Sequence, residues 1–195
     1  AIGTPVAGRN HPAVEELIGY FLNLVVLRSD LSGDPTFREL LERIRGICID
    51  AFAHQDLPFE KLVEELRPTR YATTNPLVQA TFALQNTPQQ SLNLTGIAAR
   101  NLDLGAGVAR PFDLQLYVIE EEISLRGYLG YNKSLFETDA IKRLINHMKN
   151  LLKAIAADKD GRISAWPMLT EQEQHQLLVG WNDTKAEYPK DKCIH

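Results

Sequence analysis

The sequence has no apolar run near the roughly 20 residues that cross a bilayer, and no basic leader followed by an apolar core. A membrane partner is therefore not expected, and a cytoplasmic location is. There are two cysteines, Cys48 and Cys193, far apart in the chain, which suggests neither a disulfide framework nor a cysteine-based metal knuckle. The five histidines, at positions 11, 54, 147, 175 and 195, include no adjacent pair, no i,i+4 pair and no cysteine at finger spacing. No metal site is expected from them. Lys and Arg never cluster with aromatics, and the net charge of −4 comes from interspersed signs, which argues against nucleic acid. None of Ser29, Ser32, Ser91, Ser134 and Ser164 stands in a nucleophile elbow. Gly3 and Gly8 have phosphate-loop spacing, but Arg9 replaces the lysine, Asn10 replaces the magnesium-holding hydroxyl, and Pro12 follows where the helix should continue. Turn glycines explain them better.

What is present is the composition of a globular protein: 195 residues, 44% apolar and 24% charged, enough for one large domain or two small ones. The opening AIGTPVAGRN reads as the tail of a strand, and the chain reads as a piece of a longer polypeptide. Leu22–Leu27 is a β-branched apolar run and predicts a buried strand. Asp34-Pro35-Thr36 predicts a helix start, with Asp34 or Thr36 as cap and Glu39 completing a capping box. Phe37, Leu40, Leu41, Ile44, Cys48 and Ala51 form its docked face. Leu77–Gln85 predicts a long strand after an Asn75-Pro76 turn, and Leu114–Ile119 with Ile123–Tyr131 predicts a hairpin. The three-four spacing from Ile141 to Ile155, with Thr138 as cap, predicts a four-turn helix with Leu144 in its buried centre and His147 half-exposed. Thr170-Glu171-Gln172-Glu173 predicts a capped short helix, and Lys185–Lys192 a linker.

The stretch AFAHQDLPFEKL, from Ala51 to Leu62, raises the question of a His/Asp dyad. A residue before proline is pushed toward extended backbone, so one helix must end near His54 and the next begin at Pro58. His54 then serves the carbonyl end of the first helix, and Asp56 accepts the free N–H groups of the second. A joint between helices accounts for every polar residue there, whereas a dyad needs a third group and a pocket.

Several stretches in series resemble the condensation domains of nonribosomal peptide synthetases. IGYFLNLVVLR (Ile18–Arg28) is similar to the family's Ile-Gly-x-Phe-x-Asn segment, and HQDLPFEKLV (His54–Val63) to its His-Gln-Asp-x-Pro-Phe-Glu signature. RYATTNPLVQATFALQN (Arg70–Asn86), Phe112-Asp113-Leu114, Tyr131-Asn132 with Leu135-Phe136, and LTEQEQHQLLVGWNDTKAEYP before the closing CIH follow in the expected order. Leu24, Tyr71 and Thr73 depart from the common Thr, Asp and Ser.

The resemblance implies an α/β fold, the two-lobed chloramphenicol acetyltransferase-like sandwich, of which this chain is most of the C-terminal lobe. It implies residues 1–168 as that lobe, 169–188 as a condensation–adenylation linker and 189–195 as the start of an adenylation domain. The implied activity is peptide-bond formation between two carrier-bound thioesters. The active-site histidine motif is expected upstream, in the N-terminal lobe, and no catalytic residue in this chain. No cofactor is expected to bind directly; phosphopantetheine is carried by donor and acceptor carrier proteins. Those carriers, the N-terminal lobe and the adenylation domain are the implied partners. Asn23 and Asn75 are candidates for the substrate channel; each amide could equally be satisfied by backbone. Gly19, Phe21, Arg28, His54, Gln55, Asp56, Pro58, Phe59, Glu60, Arg70, Pro76 and Asp113 are signature residues with implied structural roles. Alternatives are a non-catalytic docking platform and an epimerisation domain of the same fold. A lone lobe is expected to expose an apolar face.

Overall fold

The structure is a computed structural model that describes residues 1–15, 17–68, 75–86, 112–121 and 123–185. Arg70, Tyr71, Thr73, Cys193 and the segment expected to begin an adenylation domain lie outside the described residues. The elements run β1 (Ile2–Val6), α1 (Pro12–Glu15), β2 (Asn23–Leu27), α2 (Phe37–Ala53), α3 (Phe59–Leu66), β3 (Ala80–Gln85), β4 (Leu114–Glu120), β5 (Leu125–Tyr131), α4 (Thr138–Ala157) and α5 (Glu171–Leu178). Two compact units result. One is drawn from Ala1–Ser32 and Glu39–Thr138, the other from Gly33–Arg38 and Asp139–His195.

The first unit holds a mixed sheet in the order β2-β1-β3-β4-β5. β1 runs antiparallel to β2 and parallel to β3, β3 is parallel to β4, and β4 and β5 form the expected antiparallel hairpin. One register row crosses all five strands: Val26, Gly3, Thr81, Gln115, Gly130. Paired residues share a face, so this row puts two glycines and two buried polar side chains on one side of the sheet. Gly3 is thus a strand residue rather than a turn former. A Cβ there would stand 2.8 Å from Val78 Cγ1 and 3.0 Å from Leu24 Cδ1, so its absence admits Val78, which is fully buried.

The strand expected over Leu77–Gln85 starts three residues later, because Asn75 Oδ1 accepts from the N–H groups of Leu77 (3.2 Å) and Val78 (3.0 Å) and turns that backbone away from the ladder. β5 likewise begins at Leu125, after the turn closed by Glu121 N–H on the Ser124 carbonyl (2.8 Å). Leu41, Ile49 and Phe52 of α2 are exposed. Phe37, Leu40, Ile44, Ile47, Cys48 and Ala51 are half-buried, so Leu41 leaves the expected docked face and Ile47 joins it.

In the second unit, residues 33–38 are stitched to 158–164. Asp34 has a left-handed φ of 47°, and its carboxylate accepts from Ser164 N–H (3.0 Å) and Oγ (2.7 Å). Those bonds hold its carboxyl below the usual range, and they, rather than a helix cap, are its part. Arg162 Nη1 donates to the Asp34 carbonyl (2.6 Å), and Arg38 pairs with Asp160 (2.8 Å). Phe37 and Trp166 pack with ring centroids 6.0 Å apart.

In α4, Thr138 is the first helical residue, and its hydroxyl lies 3.0 Å from Tyr131 Oη. Ile141 is 5% exposed, but Leu144 is 41% exposed, which corrects its expected central position: the buried stripe is narrower than the apolar one. Ile141→Ala should therefore cost about 2–4 kcal/mol and Leu144→Ala under about 1.5 kcal/mol, since only the former leaves a cavity. Denaturant melts of the two variants check this, and equal losses would contradict the placement.

Exposed large apolar side chains are numerous among the described residues. Ile18, Tyr20, Phe82, Leu84, Ile123 and Leu125 are among them.

Candidate functional site

The signature segments meet where β2 passes the joint between α2 and α3. α2 ends at Ala53 and α3 starts at Phe59, with Pro58 in extended backbone before it, as the proline demands. His54 Nδ1 donates to the Asp50 carbonyl (2.8 Å), the expected service at a helix C-terminus. Asp56 does something else. Its Oδ1 accepts from Asn10 Nδ2 (2.7 Å), and no side chain of the joint caps α3.

The acceptor at that helix start comes from the strand. Asn23 Oδ1 accepts from Phe59 N–H (3.1 Å), while its Nδ2 donates to the carbonyls of Gln55 (2.8 Å) and Leu57 (2.7 Å). Both amide hydrogens and one oxygen lone pair are thus committed to backbone of one short segment. Proline leaves that segment without the regular bonds of either helix, and a single amide supplies them. The Asn of the first signature and the His-Gln-Asp-x-Pro-Phe-Glu signature are one device.

Around it, Arg9 lies over the Phe21 ring, 4.5 Å from its centroid, and its Nη1 donates to the carbonyls of Val14 and Glu15. Gly8 has φ 62°, and a Cβ there would fall 1.9 Å from the Phe21 carbonyl oxygen. A Cβ on Gly19 would fall 2.9 Å from Phe21 Cε2. Glu60 is exposed in the first turn of α3, where negative charge suits the helix dipole. Arg28 is exposed. Asn75 and Pro76 form the turn before β3, away from this cluster in sequence, and Asn75 also receives Gln79 Nε2 on its carbonyl (3.1 Å). Asp113 joins the sheet through backbone, its N–H to the Gln79 carbonyl and its carbonyl from Asn132 N–H, both 2.9 Å.

One close His/carboxylate pair went unread in the sequence. His147 Nε2 on α4 lies 2.9 Å from both oxygens of Glu173 on α5, with both side chains about one-fifth exposed. Glu173 also completes the expected capping box, accepting from Thr170 N–H and Oγ1 (2.8 Å each). Those Thr170 bonds first, and then His147, draw the Glu173 carboxyl down to about 2. The unfolded carboxyl titrates near 4.5, so this group contributes stability in full above that pH. Its contribution fades as pH falls toward about 2, where the unfolded chain takes up its proton first. NMR titration of the Glu173 side-chain carbon should give a midpoint near 2, moved upward by Thr170→Ala; a wild-type midpoint near 4.5 would contradict the assignment.

The geometry of the site is structural: side chains spend their polar groups on backbone. Among the described residues, no group of three His, Cys, Asp or Glu side chains could hold a metal, and no helix is long and apolar enough to cross a membrane.

A mixed five-stranded sheet, with signature residues that splice a strand to a helical joint, defines an α/β fold. The chain belongs to the condensation-domain family, whose model matches residues 1–178. It is 43% identical over 195 residues to one of the linear gramicidin synthase proteins of Brevibacillus parabrevis, covering 100% of this chain and 4% of that protein. Among solved structures, the complex of the X-domain and OxyB from teicoplanin biosynthesis matches with a TM-score of 0.76 and 28% identity, over 87% of this chain and 38% of that one. The first condensation domain of the CDA synthetase matches in fold, with a TM-score of 0.64 and 20% identity, over 87% and 37% of the two chains. The fold is thus the chloramphenicol acetyltransferase-like one of condensation domains, and the chain spans under two-fifths of those solved chains.

Proposed function

We propose that this chain is the C-terminal lobe of a nonribosomal peptide synthetase condensation domain and forms one wall of its reaction channel. The observation that carries this reading is the 43% identity, across all 195 residues, to a linear gramicidin synthase protein. In the proposed reaction the amine of an acceptor aminoacyl thioester attacks the carbonyl of a donor thioester. The amide bond forms, the donor's thiolate leaves, and the amine's proton passes to a base. Phosphopantetheine arms of the two carrier proteins deliver both substrates, and a histidine of the N-terminal lobe accepts the proton or stabilises the tetrahedral intermediate. Holding the two groups in attack geometry supplies much of the rate.

This chain's own contribution is a rigid wall. Asn23 and Asn75 act by fixing backbone, since their amides are engaged there. Residues 169–188 are the connector toward an adenylation domain, in a cytoplasmic assembly. The X-domain likeness supports a second reading, a platform that docks a partner enzyme; the higher identity to the synthase favours condensation.

The test is the synthetase module containing this chain, with donor and acceptor carriers loaded, read by mass spectrometry of the carrier-bound products. A peptidyl thioester on the acceptor is expected. A stable complex with a partner enzyme and no peptide bond would support the platform, and an inverted aminoacyl centre without a new bond would support epimerisation.

A further inference from the structure

Helix α5 is fastened by polar contacts rather than by its apolar residues. Eight residues are fewer than the ~12–15 at which even good helix formers are marginal in water, so Glu171–Leu178 needs outside support. Apolar burial supplies little: Leu178 is 73% exposed and, past the helix, Trp181 is 65% exposed. Among the described residues, the backbone of α5 runs alongside the Gly180–Asn182 turn and approaches no other element to a like extent. Asn182 Nδ2 closes that end on itself, donating to the carbonyls of Leu177 (2.8 Å) and Leu178 (3.2 Å).

Attachment to the rest of the unit comes from α4. His147 meets the Glu173 carboxylate, and Asn150 Nδ2 donates to the Met168 carbonyl (3.2 Å). Residues three apart lie on one face of a helix, so these two side chains form one latch. It grips both the extended entry to α5 and its first turn. Glu173 links the latch to the fold of α5 itself, because the same carboxylate closes the capping box. Releasing His147 loosens the cap as well as the dock.

We propose that Thr170–Asn182 is a strap, latched onto α4 by His147 and Asn150, which detaches and melts as a unit while α4 stays folded. The chain thereby has a joint near Leu169 at which its direction changes without cost to the fold before it. The proposal does not depend on the activity assigned above.

Amide hydrogen exchange on the full chain, under conditions where rates report opening free energy, tests it. In the unmodified protein the amides of Gln174–Val179 should exchange faster than those of Ile145–Ala154. His147→Ala should speed the α5 set by about tenfold or more, the scale of losing one charge-assisted contact and its cap, and leave the α4 set unchanged. Glu173→Gln, which approaches the latch from the other side, should do the same. A single common exchange rate for the two helices, an α5 set indifferent to both variants, or loss of α4 protection in either variant would each overturn the proposal.

Discussion

Asn23→Ala should destabilise the chain by about 2–4 kcal/mol, read as a lower denaturant midpoint with an unchanged slope. The figure follows from the three hydrogen bonds that the amide makes. Each net bond is worth about 1 kcal/mol, with more lost wherever the stranded backbone group cannot reach water. Leu57 and Pro58 cannot replace these bonds locally, because proline has no N–H and forces its neighbour extended. Asn23→Asp discriminates further. It keeps the acceptor for Phe59 N–H but sets a carboxylate oxygen against the carbonyls of Gln55 and Leu57, so it should be no better than alanine despite its shape. A loss under about 1 kcal/mol for alanine would mean that the joint holds itself together.

Gly8→Ala should cost about 2–5 kcal/mol. The left-handed backbone at φ 62° accounts for about 1–2 kcal/mol of this in any residue with a Cβ. Overpacking accounts for roughly 1–3 kcal/mol more, since the added methyl would sit 1.9 Å from the Phe21 carbonyl oxygen, a backbone atom with no rotamer to escape into. Relief requires moving Phe21, and with it the ring under Arg9. Gly33→Ala is the control: φ is 79° there, but nothing lies within 4 Å of the added carbon, so only the conformational cost of about 1–2 kcal/mol applies. Equal losses for the two alanines would refute the packing argument.

These two positions show what was legible in the sequence. Local chemistry was: the proline that separates α2 from α3, the span Phe59–Leu66, His54 on a carbonyl of its own helix and the Thr170 capping box all follow from residues within a few positions of one another. Partnerships across the fold were not. Asp56 was expected to serve the helix beside it, but the acceptor is Asn23 on a strand and Asp56 turns to Asn10. Asp34 was one of two expected caps for α2, with Thr36, yet Ser164 claims the Asp34 carboxylate. In each case a short polar side chain had several equivalent partners, and only tertiary packing chose among them. Leu144 fails for a related reason: periodicity marks the apolar stripe of a helix but not how much of that stripe a neighbour covers. His147 and Glu173 stand on different helices, with no sequence spacing to announce them.

The register row from Val26 to Gly130 governs the order in which the sheet is completed. Gly3 pairs with Thr81 only after α1, β2, α2 and α3 have intervened, and Thr81 pairs with Gln115 only after a further long excursion. On a ribosome, the β1–β2 pair therefore emerges and waits with one flank open until β3 is made, and β3 waits in turn for β4. Parallel pairings this remote in the chain are slow to close. During nascent synthesis the flank of β1 that later receives β3 is a vulnerable surface of this sheet.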